Sequence, residues 1–308
     1  MSNEIDQFIA NNPNVSRETI AKLADFRSFL IEQNSKHNLV SKSQLDKIWM
    51  RHIHDSLRIF YLLDLKKSLQ ILDIGSGGGF PAIPMAVASE KYDLKYTLCE
   101  SVTKKSKFLN LSVELLKLSN VEIINERVEK LKNREFDIIE SSGVLHHMDD
   151  PMAGWKVLVN LLKPGGLMKI GLYSKLARQH IVKVREEIDL LGVGASEAGI
   201  RKFRQSLAES HDENHQRLTM SSDFFSLSTL RDLIFHVQEH RFTLPQIKKC
   251  LDELGLKFCG FINQDAISNF RKLHGEEADI YDLALWHQYE ESNPSAFIGM
   301  YQFWCQKL

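Results

Sequence analysis

The stretch LQILDIGSGGGFPAIPMAVASE (69–90) decides how the chain is expected to fold. Its opening residues, LQILDIG (69–75), form a short apolar run that ends in glycines, which is typical of a buried β-strand. PAIPMAVASE (81–90) predicts a helix with Pro81 in its first turn, where the missing amide hydrogen costs little. The glycines between them allow a tight turn and a close approach to a ligand, and amides at a helix start favour a negatively charged group. The stretch therefore predicts a strand, a ligand-binding loop and a helix.

The alternation of strand and helix continues towards the carboxyl terminus. Apolar runs and helical periodicity predict further strands at 95–100, 121–126, 136–141 and 167–174, with helices at 103–118 and 150–162. Strands that alternate with helices indicate a parallel sheet covered on both faces. The chain is therefore expected to have an α/β fold.

Helical regions flank this sheet and interrupt it. Residues 1–66 are interpreted as an N-terminal helical cap, and residues 67–308 as the main domain. Within that domain a polar helical insertion, with no convincing strand, is predicted at about 195–250. Two late strands are expected after it, at 257–262 and 296–308.

Composition narrows the class of protein. The 308 residues include 17 Phe, 7 Tyr and 4 Trp, enough to exclude a wholly disordered chain. Lys+Arg is 39 and Asp+Glu is 40, which excludes a strongly basic nucleic-acid coat but not a local basic patch. The four cysteines form no C-x-x-C pair and are expected to be reduced thiols in a cytoplasmic protein. No apolar run reaches about 18 residues, so no membrane span is expected.

The glycine loop has the spacing G-x-G-x-G, from Gly75 to Gly79. A dinucleotide fingerprint would place its last glycine at position 80, which is Phe80. Glu100 ends the next predicted strand, where a carboxylate can accept both ribose hydroxyls of a nucleoside. Asp73 ends the first strand and can orient the loop or a ligand ammonium. This combination favours S-adenosylmethionine over NAD.

With these features, residues 68–174 and the two late strands resemble the class I S-adenosylmethionine-dependent methyltransferases. The resemblance implies a Rossmann-like seven-stranded sheet whose seventh strand runs antiparallel. It also implies that the N-terminal helical cap precedes the sheet and that the helical insertion precedes the last two strands.

Residues 20–131 resemble a narrower group, the bacterial 16S rRNA guanine-N7 methyltransferase G family, also called glucose-inhibited division protein B. The matching segments are KHNLVS (36–41), IWMRHIHDSL (48–57), DIGSGGGFPAIPMA (73–86), TLCES (97–101), KKSKFL (104–109) and NERVEKL (125–131). The resemblance implies that His52 and Asp55 pack the cap against the pocket, and that Val128 and Glu129 lie near the adenine. The expected cofactor-binding residues are Asp73, Gly75, Ser76, Gly77, Gly79, Phe80, Glu100, Ser101, Val128 and Glu129.

Residues 134–308 resemble a different class I branch, so the chain reads as two families joined near residue 132. In place of an Arg-Ala pair after the fourth strand, this chain carries ESSGVLHHMDDP (140–151). The acceptor-loop residues predicted to be catalytic are Ser141, His146 and His147. Adjacent histidines point in different directions, so no metal is expected. His236, His240 and Arg241 are assigned packing or surface roles.

Two acceptors follow from the two resemblances. Methylation of guanine N7 in 16S rRNA, alone or in the 30S subunit, follows from residues 20–131, with basic side chains contacting phosphates. These side chains are Lys36, Lys42, Lys47, Arg51, Lys104, Lys105 and Lys107, and a solvated helix face is their simpler interpretation. A small molecule or a protein side chain is the alternative acceptor. A further alternative is a binding protein that has lost catalysis.

Overall fold

The computed structural model describes residues 4–235 and 239–308, so His236 lies outside the described residues. The helices are α1 Glu4–Asn11, α2 Arg17–His37, α3 Asp55–Phe60, α4 Ala82–Ala88, α5 Thr103–Leu116, α6 Pro151–Leu161, α7 Gln179–Leu190, α8 Glu197–Glu209, α9 Glu213–Thr219, α10 Leu227–Ile234, α11 Leu244–Glu253, α12 Gln264–His274 and α13 Leu283–Ser292. The strands are β1 Leu69–Ile74, β2 Leu94–Cys99, β3 Val121–Ile124, β4 Phe136–Ser142, β5 Leu162–Ser174, β6 Arg241–Phe242, β7 Leu256–Phe261 and β8 Tyr301–Lys307.

The strands form one sheet in the order β3-β2-β1-β4-β5-β8-β7, and β6 pairs with β5. Strand β1 is parallel to β2 and to β4, and β2 is parallel to β3. Strand β8 runs against β5, because Cys305 Sγ lies 3.5 Å from Met168 O while the Gln306 side chain donates to the earlier Gly165 O. The predicted α/β class and the antiparallel last strand are thereby confirmed.

The insertion differs from its prediction in one respect. Residues 195–250 are mostly helical, but they contain β6, which pairs in parallel with Tyr173 and Ser174 of β5. The expectation of no strand was wrong, because two residues are too few to show the alternation by which a strand is recognised. Strand β5 also begins at Leu162, directly after α6, rather than at residue 167.

The molecule divides into two compact units, and the predicted boundary at residue 66 stays a prediction. The first unit comprises the chain up to Val144 together with 153–170 and 305–308. The second comprises 145–152 and 171–304. The first unit thus holds β1 to β4 with the N-terminal helices, and the second holds β6, β7 and the helices from α7 onwards.

In the first unit, aromatic packing joins the N-terminal helices to the sheet. Phe26 of α2 packs edge-on against Phe80 after the glycine loop, with ring centroids 5.5 Å apart. Phe29 stacks on Phe108 of α5 at the same separation of 5.5 Å. The Ser16 side chain caps α2 by accepting a hydrogen bond from Thr19 N at 3.1 Å. The cap therefore shares its core with the sheet.

The second unit has an apolar core of its own. Helices α7 to α10 enclose buried side chains that include Val184, Ile200 and Leu230. Around β7, Phe270 stacks on Trp286 with ring centroids 4.0 Å apart. No helix among the described residues is long and apolar enough to cross a membrane.

Candidate functional site

The glycine loop has the backbone that its composition predicts. Gly75 and Gly79 have φ values of +69° and +83°, in the left-handed region that side chains disfavour. A Cβ at Gly75 would lie 2.6 Å from Val144 Cγ2, and one at Gly79 would lie 2.7 Å from Ile83 Cγ1. Both positions therefore require glycine for conformation and for space.

The segment KHNLVS (36–41) packs against this loop. Asn34 Oδ1 accepts hydrogen bonds from Leu39 N at 2.8 Å and Val40 N at 2.9 Å, which fixes the turn after α2. A Cβ at Gly78 would lie 3.1 Å from Leu39 O, so the turn and the loop touch through their backbones. The cap therefore holds the loop from the side of α2.

The two cap residues singled out by the family resemblance behave differently. His52 stacks on Phe80, with ring centroids 4.8 Å apart and an interplanar angle of 25°. Burial lowers the pKa of His52, which favours the neutral imidazole in this stack. Asp55 has an exposed side chain that lies 3.7 Å from Arg58, one turn along the same helix. Only His52 packs the cap against the glycine loop as expected.

Glu100 is buried at the end of β2, and its carboxylate binds the backbone of the glycine loop. Its Oε2 accepts a hydrogen bond from Gly77 N at 3.0 Å, and its Oε1 accepts one from Val102 N at 2.8 Å. Asn125 Nδ2 donates to Glu100 O at 2.8 Å and fixes the backbone as well. Each carboxylate oxygen has a second lone pair, so the site retains acceptors for ribose hydroxyls.

Asp73, at the end of β1, is a buried acid whose carboxylate has no hydrogen-bond partner among the described residues. Its exposed fraction is 2%, and within 4–235 and 239–308 neither carboxylate oxygen has a hydrogen-bond partner. Burial, followed by the charge of Glu140 on the neighbouring strand, raises the pKa of Asp73 well above its usual range. An orphaned buried carboxyl at a strand end is suited to a ligand that brings its own donor or positive charge.

A buried ion pair next to Asp73 was not predicted from the sequence. Glu140 lies beside Asp73 in the register of β4 and β1, and its Oε1 accepts a hydrogen bond from Lys169 Nζ of β5 at 2.8 Å. Ser142 Oγ donates to the same oxygen at 2.7 Å. The signal was a lysine inside the apolar strand LMKIGLYS (167–174), where an unpaired ammonium would be costly.

The remaining expected cofactor residues lie around this arrangement in different environments. Ser76 is buried and its Oγ donates to Asp73 O at 3.0 Å, whereas Ser101 is exposed. Val128 is buried in the short helical turn Val128–Lys130, and Glu129 in the same turn is exposed. The structure thus brings Asp73, Glu100 and the glycine loop together at the carboxyl ends of β1 and β2.

Ser141, in the first unit, was expected in the acceptor loop, but it lies within β4. Its side chain is fully buried, and no hydrogen bond to its Oγ is found within the described chain. In the predicted loop after it, Leu145–His147 forms a short helical turn.

His146, in the second unit, is a fully buried histidine whose ring nitrogens find no partner in the described residues. Its ring centroid lies 3.9 Å from that of Tyr173, and the guanidinium of Arg178 lies 3.8 Å from the same tyrosine ring. Burial, with the neighbouring His147 as a smaller cause, lowers the pKa of His146 to about 3. His146 is therefore a neutral imidazole at physiological pH, while His147 is exposed.

No group of three or more His, Cys, Asp or Glu side chains that could hold a metal ion is found in 4–235 and 239–308.

Comparison with known proteins identifies relatives of this chain. The family model described as rRNA small subunit methyltransferase G matches residues 19–198, so the match continues past residue 132. The chain is 32% identical over 203 residues to the ribosomal RNA small subunit methyltransferase G of Oenococcus oeni, covering 63% of this chain and 76% of that protein. It is 39% identical over 132 residues to the protein of the same name from Orientia tsutsugamushi (strain Ikeda), covering 43% of this chain and 64% of that one.

Among solved structures, PKMT2 from Rickettsia typhi has a similar fold. Its TM-score is 0.58 at 16% identity, over 81% of this chain and 51% of that one. The structure of PKMT2 in complex with AdoHcy gives a TM-score of 0.56 at 15% identity, over 77% of this chain and 48% of that one. The chain thus spans about half the length of this structural neighbour, and the likeness concerns the fold.

Proposed function

Because the chain belongs to the rRNA small subunit methyltransferase G family, we propose that it transfers a methyl group from S-adenosylmethionine to N7 of a guanine in 16S rRNA. The observation that carries the proposal is the orphaned carboxyl of Asp73 beside the glycine loop and Glu100. The 30S subunit as the physical substrate and a cytoplasmic location are parts of the same proposal.

The residues at the strand ends fit the methyl donor. S-adenosylmethionine, when bound, supplies a methyl group on a positively charged sulfur. Glu100 offers acceptors for the ribose hydroxyls, and the carboxyl of Asp73 offers acceptors for the ammonium of the methionine part. Gly75 and Gly79 adopt the left-handed conformations that shape the loop on which the donor is proposed to bind. Val128 and Glu129 are proposed to border the adenine.

The acceptor needs positioning rather than proton removal. Guanine N7 has a free lone pair, so a reaction at this atom requires no general base, and alignment supplies much of the rate. Exposed cations on the first unit provide contacts for RNA phosphates, and within the described residues none of them forms an ion pair. They are Lys36, Lys42, Lys47, Arg51, Lys104 and Lys107, whereas Lys105 is partly buried.

The test uses labelled S-adenosylmethionine and 30S subunits that lack the N7 mark. Label at a guanine N7 of 16S rRNA is the expected result. Asp73→Asn is expected to weaken S-adenosylmethionine binding in calorimetry, and Lys36→Gln with Arg51→Gln is expected to raise KM for the subunit. Lys67→Gln is the matched control, because Lys67 is exposed and pairs with Asp64 at 3.5 Å. Cofactor binding without label in the RNA would contradict the proposal.

One observation favours the alternative acceptor, a small molecule or a protein side chain. Residues 199–308 lie outside the family match, so the part of the chain that follows it can serve a different acceptor. An oxygen or amine acceptor must lose a proton, and His146 is the uncharged imidazole proposed to take it, with a pKa of about 3 that makes it a weak base. The catalytic roles of Ser141 and of His147 stay separate proposals, since the two residues belong to different units. A metabolite and protein extract incubated in parallel tests this, with label there and none in RNA as its signature. Loss of that label in His146→Asn, with cofactor binding retained, would assign the proton transfer to His146.

A further inference from the structure

The second unit contains a cavity that the proposed methyl-transfer site does not use. It has a volume of about 330 Å³ and lies between residues 150–152, strand β6 and helix α11. Such a volume is at the lower end of the range for sites that hold small ligands or parts of larger ones. Its walls include His240, Arg241, Phe242 and Lys249.

Arg241 is the unexplained side chain of this cavity. Its Nη1 atom is buried and has no hydrogen-bond partner in the part of the chain that the structure describes. The backbone around it is fixed, because Arg241 pairs with Tyr173 in the sheet and His240 N donates to His146 O at 2.8 Å. Arg241 as a whole is partly buried. Because a guanidinium does not lose its proton in proteins, leaving one of its nitrogens buried without a partner is unfavourable.

The carboxylate of Glu239, two positions before Arg241 in the chain, is already engaged. Glu239 accepts hydrogen bonds from Arg178 at 2.9 and 2.8 Å and from Arg185 at 3.2 Å. Burial is the main cause that lowers the pKa of Arg185, and the charges of Arg178 and Arg241 contribute to the same shift. Three guanidinium groups therefore lie near one another with Glu239 shared by two of them.

Other carboxylates equal the cations of this region in number, but among the described residues none of them forms an ion pair with Arg241. Asp223 is near Arg178, and its pKa is raised chiefly by burial. The cavity walls also hold Asp150 and Glu253, and Glu253 lies 3.7 Å from Lys249. Arg241 itself forms no ion pair within 4–235 and 239–308, so its guanidinium can still form charge-assisted hydrogen bonds with an oxyanion.

We propose that Arg241 binds a phosphate oxygen of the substrate RNA in this cavity. The inference rests on the proposed function, since it names a contact of the same substrate. A planar guanidinium matches a phosphate through two parallel hydrogen bonds, and Lys249 adds a second positive charge on the α11 wall. The sequence-based assignment of Arg241 to a packing or surface role accounts for neither its buried Nη1 nor its missing partner.

The test measures the affinity of a 16S rRNA fragment at several salt concentrations. Each lost phosphate contact reduces the slope of log K against log salt by about 0.7 for single-stranded RNA and about 0.9 for a duplex. Arg241→Gln is expected to show this reduction, and Arg241→Lys is expected to keep the slope because it keeps the charge. Arg201→Gln is the matched control, since Arg201 is exposed and bound to Glu197 at 2.6 Å. Urea unfolding of each variant verifies that it is folded.

The outcomes separate this inference from the proposed function. Methylation of 16S rRNA with an unchanged slope in Arg241→Gln overturns the inference alone. If the unsubstituted chain neither binds nor methylates 16S rRNA, the proposed function fails and the RNA contact fails with it. Inorganic phosphate is titrated in parallel by calorimetry. Binding of phosphate that needs Arg241, without a change in the RNA slope, identifies a free oxyanion as the ligand and also overturns the inference.

Discussion

Replacement of Gly79 by alanine tests whether the glycine loop is fixed by packing as well as by backbone conformation. Gly79 has φ +83°, and an added Cβ would lie 2.7 Å from Ile83 Cγ1 and 3.3 Å from Leu109 Cδ2. Real Cβ atoms essentially never approach another atom to within 3.0 Å, so the start of α4 must shift. The substitution therefore strains the loop in two separate ways.

The magnitude follows from adding the two contributions. A left-handed conformation costs alanine about 1–2 kcal/mol relative to glycine. Overpacking of a buried position costs about 1–3 kcal/mol more. We therefore expect Gly79→Ala to lower the free energy of unfolding by about 2–5 kcal/mol, the sum of these two ranges. S-adenosylmethionine affinity should fall as well, because Glu100 holds the same loop through Gly77.

Gly165→Ala is the matched control. Gly165 has φ +72°, but nothing lies within 4 Å of an added Cβ, so this variant reports the conformational cost alone. Urea unfolding of both variants gives the packing contribution by difference. Equal losses of stability in the two variants would refute the reasoning, because they would mean that Ile83 moves aside without cost.

Three other predictions concern buried charges. Asp73→Asn should stabilise the protein at neutral pH, with the gain disappearing in acid, because a raised carboxyl pKa gives stability at low pH that is lost as the pH rises. Urea unfolding across pH tests this, and an unchanged gain in acid would contradict it. His146→Asn should make stability less sensitive to acid. A histidine pKa lowered to about 3 costs the folded state stability as the pH falls below 6.5, about 2 kcal/mol by pH 5. Equal pH dependence of thermal unfolding in His146→Asn and the unsubstituted protein would contradict this prediction. Lys169→Met should lower the free energy of unfolding by about 3–5 kcal/mol, because it leaves the buried Glu140 carboxylate without its cation. The double variant with Glu140→Gln should recover most of that stability in urea unfolding. A double variant no more stable than the single one would argue against the pair.

The order of strands and helices was predictable because each element carries its own local pattern. The apolar run ending at Gly75 and the helix after Pro81 both appear within a residue or two of their predicted positions. Glu100 was identified because an acid at the end of the second strand is a local feature as well. The sequence did not indicate that this acid also binds Gly77 N, since that contact depends on how the loop is folded.

The features that sequence reasoning missed all depend on pairing between distant parts of the chain. Lys169 and Glu140 are 29 positions apart, and Arg178 and Glu239 are 61 apart. No periodicity specifies the partner in such a pair. Lys169, inside an apolar strand, indicates that a partner is needed but not which residue supplies it. The burial of His146 has the same origin, since the ring that packs against it comes from Tyr173 on β5.

Each unit contains an ionisable side chain with a buried atom that the described residues leave without a hydrogen-bond partner. In the first unit, Lys169 pairs with Glu140 and leaves Asp73 without a hydrogen-bond partner. In the second unit, Glu239 binds Arg178 and Arg185, and Nη1 of Arg241 is left without a hydrogen-bond partner. Such groups weaken folding, and their persistence at a site is expected where a ligand of complementary charge compensates them. One of the two groups is an acid and the other a base, which fits the two proposals of a cationic methyl donor at Asp73 and an RNA phosphate at Arg241.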